Sequence, residues 1–178
     1  MKELSLPWMV IGGVAVIAAG VPRETIDVDA AVLGRASDLD TLIAALERNG
    51  IVPRISGARQ FARERQVLLL QHGESGVTME ISFAWLPFEE QAIARAHKLD
   101  VEGLSVPIAR PEDLVVYKVT AWRDRDRADV ERLLILHLAS IDIERVRSLI
   151  VDIAEVLDDP ERVAAFDVLV ARARCAQC

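Results

Sequence analysis

The chain has 178 residues, 52% of them hydrophobic but only 4% aromatic, with a formal net charge of −7. That length favours one domain with a sizeable core, and the composition makes the core aliphatic. The acidic balance excludes a broad nucleic-acid-binding face, which needs a basic surface, while leaving room for a local basic patch.

From Leu4 to Pro22 the chain carries no charge. The apolar run is too broken by glycine and proline for a membrane span, and removing it as a leader would take Gly12 and Gly13 with it. A buried strand and helix are expected there instead. Trp8 to Ile11 fits a short strand or the end of a preceding helix, and 13–19 a buried helix. Residues 25–33 alternate as a strand should. Ser37 suits a helix N-cap, Leu39, Leu42, Ile43 and Leu46 follow at helical spacing, and Gly50 marks the stop. Residues 66–71 and 77–85 read as two strands around the turn at 72–76, with a short helix at 87–96 and a strand at 104–108.

From Pro111 onward the pattern is helical. Proline suits the first helical position, and Glu112 and Asp113 complement the helix dipole. Helices are expected at 111–124, 126–139, 142–157 and 160–174. The expected fold is α+β over a single domain, 1–178: a small mixed sheet with packed helices (1–109) and a helical C-terminal bundle (110–178). Cys175 and Cys178 form a Cys-x-x-Cys with no histidine nearby, which reads as two exposed tail thiols rather than a zinc site. The near absence of cysteine fits a reducing, cytoplasmic setting.

Two features carry chemistry. Gly12-Gly13 can form a turn that lets backbone approach a ligand, with free N–H groups where a helix begins. Asp27 and Asp29, alternate residues on a strand, share a face roughly 6–7 Å apart. Carboxylates at that separation repel unless a cation intervenes, and magnesium favours one or two carboxylates plus phosphate. The pair therefore describes a magnesium–nucleotide cradle. It also describes a tight turn before a strand with two solvated acids, and spacing alone does not choose.

The wider pattern does. Gly12-Gly13-Val14-Ala15, then Gly20-Val21-Pro22-Arg23-Glu24-Thr25-Ile26-Asp27-Val28-Asp29, resembles the active-site signature of the DNA polymerase beta-like nucleotidyltransferases, most closely the branch of AbiEii-type toxins and related minimal enzymes. A second block, Pro111-Glu112-Asp113-Leu114 with Lys118 and then Ala121-Trp122-Arg123-Asp124-Arg125-Asp126 through Asp129, is similar to that branch's later motif. The resemblance spans about residues 8–135. It implies that Asp27 and Asp29 bind two Mg²⁺ ions and an NTP, and that Glu80, where the family more often has Asp, supplies a third carboxylate. It also implies that Gly12, Gly13, Arg23, Thr25 and Lys118 lie near the nucleotide. Lys118, Trp122, Arg125 and Asp129 are expected on one helical stripe; Arg123, Asp126 and Asp129 are expected behind the site, where Asp126 and Asp129 either brace Lys118 or Arg123 or belong to a solvated, salt-bridged helix junction.

The function so implied is Mg-dependent nucleotidyl transfer to an RNA (tRNA) or protein acceptor, as in the toxin of a toxin–antitoxin pair with a cognate antitoxin and no membrane partner. The alternatives are an antibiotic (aminoglycoside or lincosamide) nucleotidyltransferase and a non-catalytic nucleotide- or partner-binding module of the same fold. Arg54, Arg59, Arg63 and Arg65 form a basic cluster in an expected loop and strand start, a candidate contact for RNA phosphates.

Overall fold

The computed structural model describes residues 6–35 and 38–177. Ser37 and Cys178, expected as a helix cap and a tail thiol, lie outside these residues. Two compact units are present. One comprises Met1–Val14 and Glu24–Ala109, the other Ala15–Arg23 and Arg110–Cys178. Among the described residues no helix is long and apolar enough to cross a membrane.

The first unit is built on a mixed sheet of seven strands. They are β1 (Trp8–Ile11), β2 (Asp27–Val32), β3 (Ile51–Pro53), β4 (Val67–His72), β5 (Thr78–Phe83), β6 (His97–Val101) and β7 (Leu104–Ile108), in the order β3-β4-β5-β2-β1-β7-β6. Trp8–Ile11 is a strand, which settles the two readings its sequence allowed. Strand β2 runs antiparallel to β1 and parallel to β5. Strands β4 and β5 form the expected antiparallel hairpin.

Alternation within the strands divides the sheet into two faces. Val32, Leu68, Leu70, Ile81 and Phe83 form one buried face with Leu39, Leu42, Ile43 and Leu46 of helix α2 (Leu39–Glu47). Helix α2 starts after Asp38 and stops near Gly50, whose φ of +73° is cheap only for glycine. Helix α3 (Ala58–Arg65) presses Ala58 and Ala62 against the same core. The sequence gives no long apolar stripe there, so α3 was expected as loop. Three of the four arginines assigned to that loop, Arg59, Arg63 and Arg65, are in fact helical. The short helix α4 (Pro87–Ala94) follows β5 as expected.

Helix α1 (Gly12–Ala18) leads into the second unit, which is otherwise four helices: α5 (Pro111–Ala121), α6 (Asp124–His137), α7 (Ile143–Val156) and α8 (Glu161–Ala176). Their packing surfaces are aliphatic, with Leu114, Val115, Val119, Leu133, Leu134, Val146, Ile150 and Phe166 buried. Asp142 caps α7 by accepting the Arg145 backbone N–H at 3.0 Å. A break at Trp122, with φ of +52°, separates α5 from α6. The single stripe from Lys118 to Asp129 is therefore replaced by a corner, and Arg125 is exposed on the far side of it.

Candidate active site

Asp27 and Asp29 stand on β2 with Val28 between them, on the face opposite the α2 core. The register extends this face across the sheet: Asp29 pairs with Ile11 of β1 on one side and Glu80 of β5 on the other, and Glu80 pairs with Leu69 of β4. Arg54 continues the line of β3 and donates its backbone N–H to the Leu69 carbonyl at 3.1 Å. One transverse row therefore reads Arg54, Leu69, Glu80, Asp29, Ile11. The three acids are all partly buried.

Each end of this row is specified by contacts. Gly12 has a φ of +64°, and a Cβ built there would lie 2.6 Å from Cγ and 2.7 Å from Cβ of Asp29. The diglycine bend thus packs directly on the Asp29 side chain, leaving no room for a side chain of its own. Thr25 donates its hydroxyl to Asp27 Oδ1 at 2.8 Å and orients that carboxylate. Glu80 is held differently. Arg54 Nη2 reaches over Leu69 and donates to Glu80 Oε1 at 2.7 Å.

That last contact was not legible in the sequence. Arg54 had been grouped with Arg59, Arg63 and Arg65 as a basic cluster. The cluster resolves into ion pairs instead: Arg54 with Glu80, and Arg59 and Arg63 with Asp40 at 2.7 and 3.6 Å. Among the described residues no three His, Cys, Asp or Glu side chains are grouped to hold a metal ion. The expected convergence of three carboxylates is therefore not formed by the side chains as they stand, because Glu80 is drawn toward Arg54. The two aspartates, with the glycine bend beside Asp29, still fit a hard divalent cation that takes one or two carboxylates and fills its remaining positions with phosphate and water.

Two expected outcomes follow from these contacts. Gly12→Ala forces Ala into a left-handed conformation, at about 1–2 kcal/mol, and displaces Asp29. It is expected to lower stability by about 2 kcal/mol or more and transfer activity at least tenfold. Combining it with Asp29→Gly removes the whole side chain that the new Cβ meets, Asp29 Cβ included, so a double-mutant cycle by denaturant unfolding should give a coupling of about 1 kcal/mol or more. Thr25→Val removes the bond that orients Asp27; under the proposal made below, that Asp27 binds Mg²⁺, it is expected to weaken Mg²⁺ binding about 10–100-fold, the usual loss for a residue that orients a metal ligand. Calorimetric titration with MgCl₂ checks it.

The remaining predicted site residues belong to the helical unit. Lys118 on α5 is buried, and its Nζ lies 3.0 Å from Asp126 Oδ1 and 3.0 Å from Asp129 Oδ2, both on α6. Arg23 Nη1 donates to Asp129 Oδ2 at 2.6 Å. Arg123, itself exposed, donates through Nε to Asp126 Oδ2 at 2.6 Å. Burial would push the Asp126 carboxyl up, but the hydrogen bonds from Arg123 and Lys118 outweigh it and hold the group below its ordinary value of 3.8. Asp124 and Arg127 form an exposed pair at 3.8 Å, and Arg127 also lies over the Trp122 ring, 5.2 Å from its centroid.

Comparison with known proteins agrees with this fold. Residues 2–174 match the family described as "Nucleotidyltransferase of unknown function (DUF6036)". Curated proteins give no match. Among solved structures, ANT(2")-Ia in complex with adenylyl-2"-tobramycin is 19% identical, with 88% of this chain and 91% of that chain covered and a TM-score of 0.55. An antigenic nucleotidyltransferase-like protein from Paracoccidioides brasiliensis is 14% identical, with coverage of 93% and 86% and a TM-score of 0.52. Both likenesses are of fold. The family match extends over nearly the whole sequence, and the chain belongs to the DUF6036 nucleotidyltransferase family.

Proposed function

We propose that the protein is a Mg²⁺-dependent nucleotidyltransferase that takes an NTP at the Asp27/Asp29 face of its sheet and passes the nucleotidyl group to a hydroxyl acceptor on RNA or protein, the acceptor oxygen bonding the α-phosphorus as its bond to the β-phosphate breaks and pyrophosphate leaves. The observation that carries this reading is the pairing of Asp29 with Gly12. The bend has no side chain and lies against the Asp29 carboxylate, an arrangement that would let backbone N–H groups and a metal ligand serve the same polyphosphate. Thr25 supports it by fixing Asp27.

Two Mg²⁺ ions held by these acids would supply charge neutralisation at the triphosphate and lower the pKa of the attacking hydroxyl. The chain's own residues do the rest. Asp27 and Asp29 present their oxygens to one side of β2. Gly12 and Gly13 offer backbone N–H groups to phosphate at the start of α1. Glu80, in register with Asp29, becomes the third carboxylate once Arg54 exchanges it. Catalysis in this arrangement is positioning and charge stabilisation. Arg23 and Lys118 are engaged with Asp126 and Asp129 inside the helical unit, and their part there is to hold that unit together.

A second reading rests on one contact. The Arg54–Glu80 pair occupies the carboxylate that the reaction needs, as expected of a module that binds nucleotide without turnover. Incubation with each labelled triphosphate, Mg²⁺ and cell lysate separates the two. Labelled RNA or protein supports the enzyme, label on added tobramycin or lincomycin points to the antibiotic acceptor class, and Mg²⁺-dependent triphosphate binding without transfer supports the module. Growth arrest on expression that Asp27→Ala with Asp29→Ala relieves, in cells lacking a cognate antitoxin, supports a toxin.

A further inference from the structure

Strand β6 ends the sheet and is exposed along its whole length. Its register with β7 sets Leu99 beside Val106 and Val101 beside Leu104, while Ile108 of β7 lies beside Val10 of β1. Directly opposed residues share a face, so Leu99, Val101, Leu104 and Val106 stand on the side of the sheet that carries Val10. Three of them are unusually open for their type: Leu99 at 36%, Val101 at 45% and Leu104 at 63% exposed. The same face continues into an apolar cavity of about 530 Å³ whose walls include Trp8, Val10, Met79, Leu104 and Val106.

An open sheet edge is a template for another strand, and proteins that keep such edges single place charge along them. The charges on β6 are Lys98 and Asp100, one on each side of Leu99. They repel many foreign strands but complement their own copy. In an antiparallel pair of two identical strands with Leu99 on the two-fold axis, Lys98 of each copy faces Asp100 of the other. Leu99 faces Leu99, and His97 faces Val101. The charge contact is of opposite sign and occurs twice by symmetry, and the two apolar faces join on one side. Shifting the register by one residue in either direction sets Lys98 against Leu99 or Leu99 against Asp100. Asp100 is already held in place, because its Oδ1 accepts the Gly103 backbone N–H at 3.1 Å across the β6–β7 turn.

We propose that the protein forms a symmetric homodimer by antiparallel pairing of β6 with β6 of a second copy, Leu99 lying on the two-fold axis. Sedimentation equilibrium of the full chain between about 1 and 100 μM tests it. The wild type is expected as a dimer. Lys98→Glu and Asp100→Lys each set two like-charge contacts across the axis and are expected to raise the dissociation constant about tenfold or more. Mixing the two variants restores opposite charges at both contacts, so the mixture is expected to reassociate to within a few-fold of the wild type. Asp100→Lys also loses the turn bond to Gly103, so a second experiment avoids that position. In a background with Cys175→Ser and Cys178→Ser, Leu99→Cys is expected to cross-link to itself on mild oxidation, since opposed residues at a two-fold lie about 4.5–5.5 Å apart, within disulfide range. Lys98→Cys in the same background is not. A monomeric wild type, charge variants that dimerise as tightly as the wild type, a mixture that fails to pair, or equal cross-linking at both positions overturns the proposal.

Discussion

Asp27→Asn and Asp29→Asn are each expected to reduce nucleotidyl transfer about a thousandfold while leaving the unfolding midpoint nearly unchanged. Each substitution keeps the size of the side chain and removes one of two negative charges from a face that, in this reading, must hold a divalent cation against a polyphosphate. Metal-based charge stabilisation is worth several kcal/mol in the transition state, and about 4 kcal/mol corresponds to three powers of ten in rate. The cost to folding is small because both residues are only partly buried, and two like carboxylates at that separation do not stabilise each other. Asp27→Asn has a further signature. Thr25 still has an amide oxygen to donate to, so the side chain stays oriented and the loss is one of charge. Steady-state labelling assays over a range of Mg²⁺ concentrations, with thermal unfolding alongside, check both halves. Loss of activity together with collapse of the fold would mean the aspartates are structural.

Lys118→Met carries the largest expected effect on stability. The Lys118 side chain is only 6% exposed and its two partners, Asp126 and Asp129, 0% and 4%. Removing one member of a buried charge group leaves the others desolvated and under-compensated, which costs about 3–5 kcal/mol. The lower end applies here, because Arg123 still holds Asp126 and Arg23 still holds Asp129. The expected loss is about 3 kcal/mol, or roughly 6–12 °C in Tm for a chain of this size.

The pH dependence gives this prediction its sign. The folded pKa of Asp126 lies below its unfolded value. The stability it contributes is therefore fully present above about pH 3.9, the usual unfolded value, and is lost as pH falls through the folded pKa. In Lys118→Met one of the two cations that lower the pKa is gone, and burial then favours the neutral acid. The gap between wild type and variant should accordingly narrow as pH drops from 7 toward 3. Urea unfolding at several pH values measures it, and a gap independent of pH would mean that Lys118 acts by packing alone.

How much of this was readable from residues follows physical lines. Strand β2 was legible because Asp27 and Asp29 interrupt an otherwise apolar segment at period two. Glu80 was legible for the same reason on β5, and the register sets it beside Asp29. The C-terminal helices announced themselves through Pro111, the acidic first turn and long aliphatic periodicity. What escaped was short or lacked an apolar signature. Strand β3 has three residues, β6 buries none of its side chains, and α3 touches the core mainly through two alanines. Without β3 there was no line to place Arg54 near Glu80, so it was read with its charged neighbours. The corner between α5 and α6, expected as a break near residue 125, falls at Trp122 instead. Trp is not a residue expected at positive φ, and nothing local marks the turn that lets Lys118 meet two acids on the next helix.

The most direct test of the account is calorimetric titration of the full chain with a non-hydrolysable triphosphate, in the presence of Mg²⁺ and then of EDTA, for the wild type and for Asp29→Asn. The account predicts binding that needs the cation and falls at least tenfold in the variant. Binding of equal strength with EDTA, or undiminished by Asp29→Asn, would contradict it.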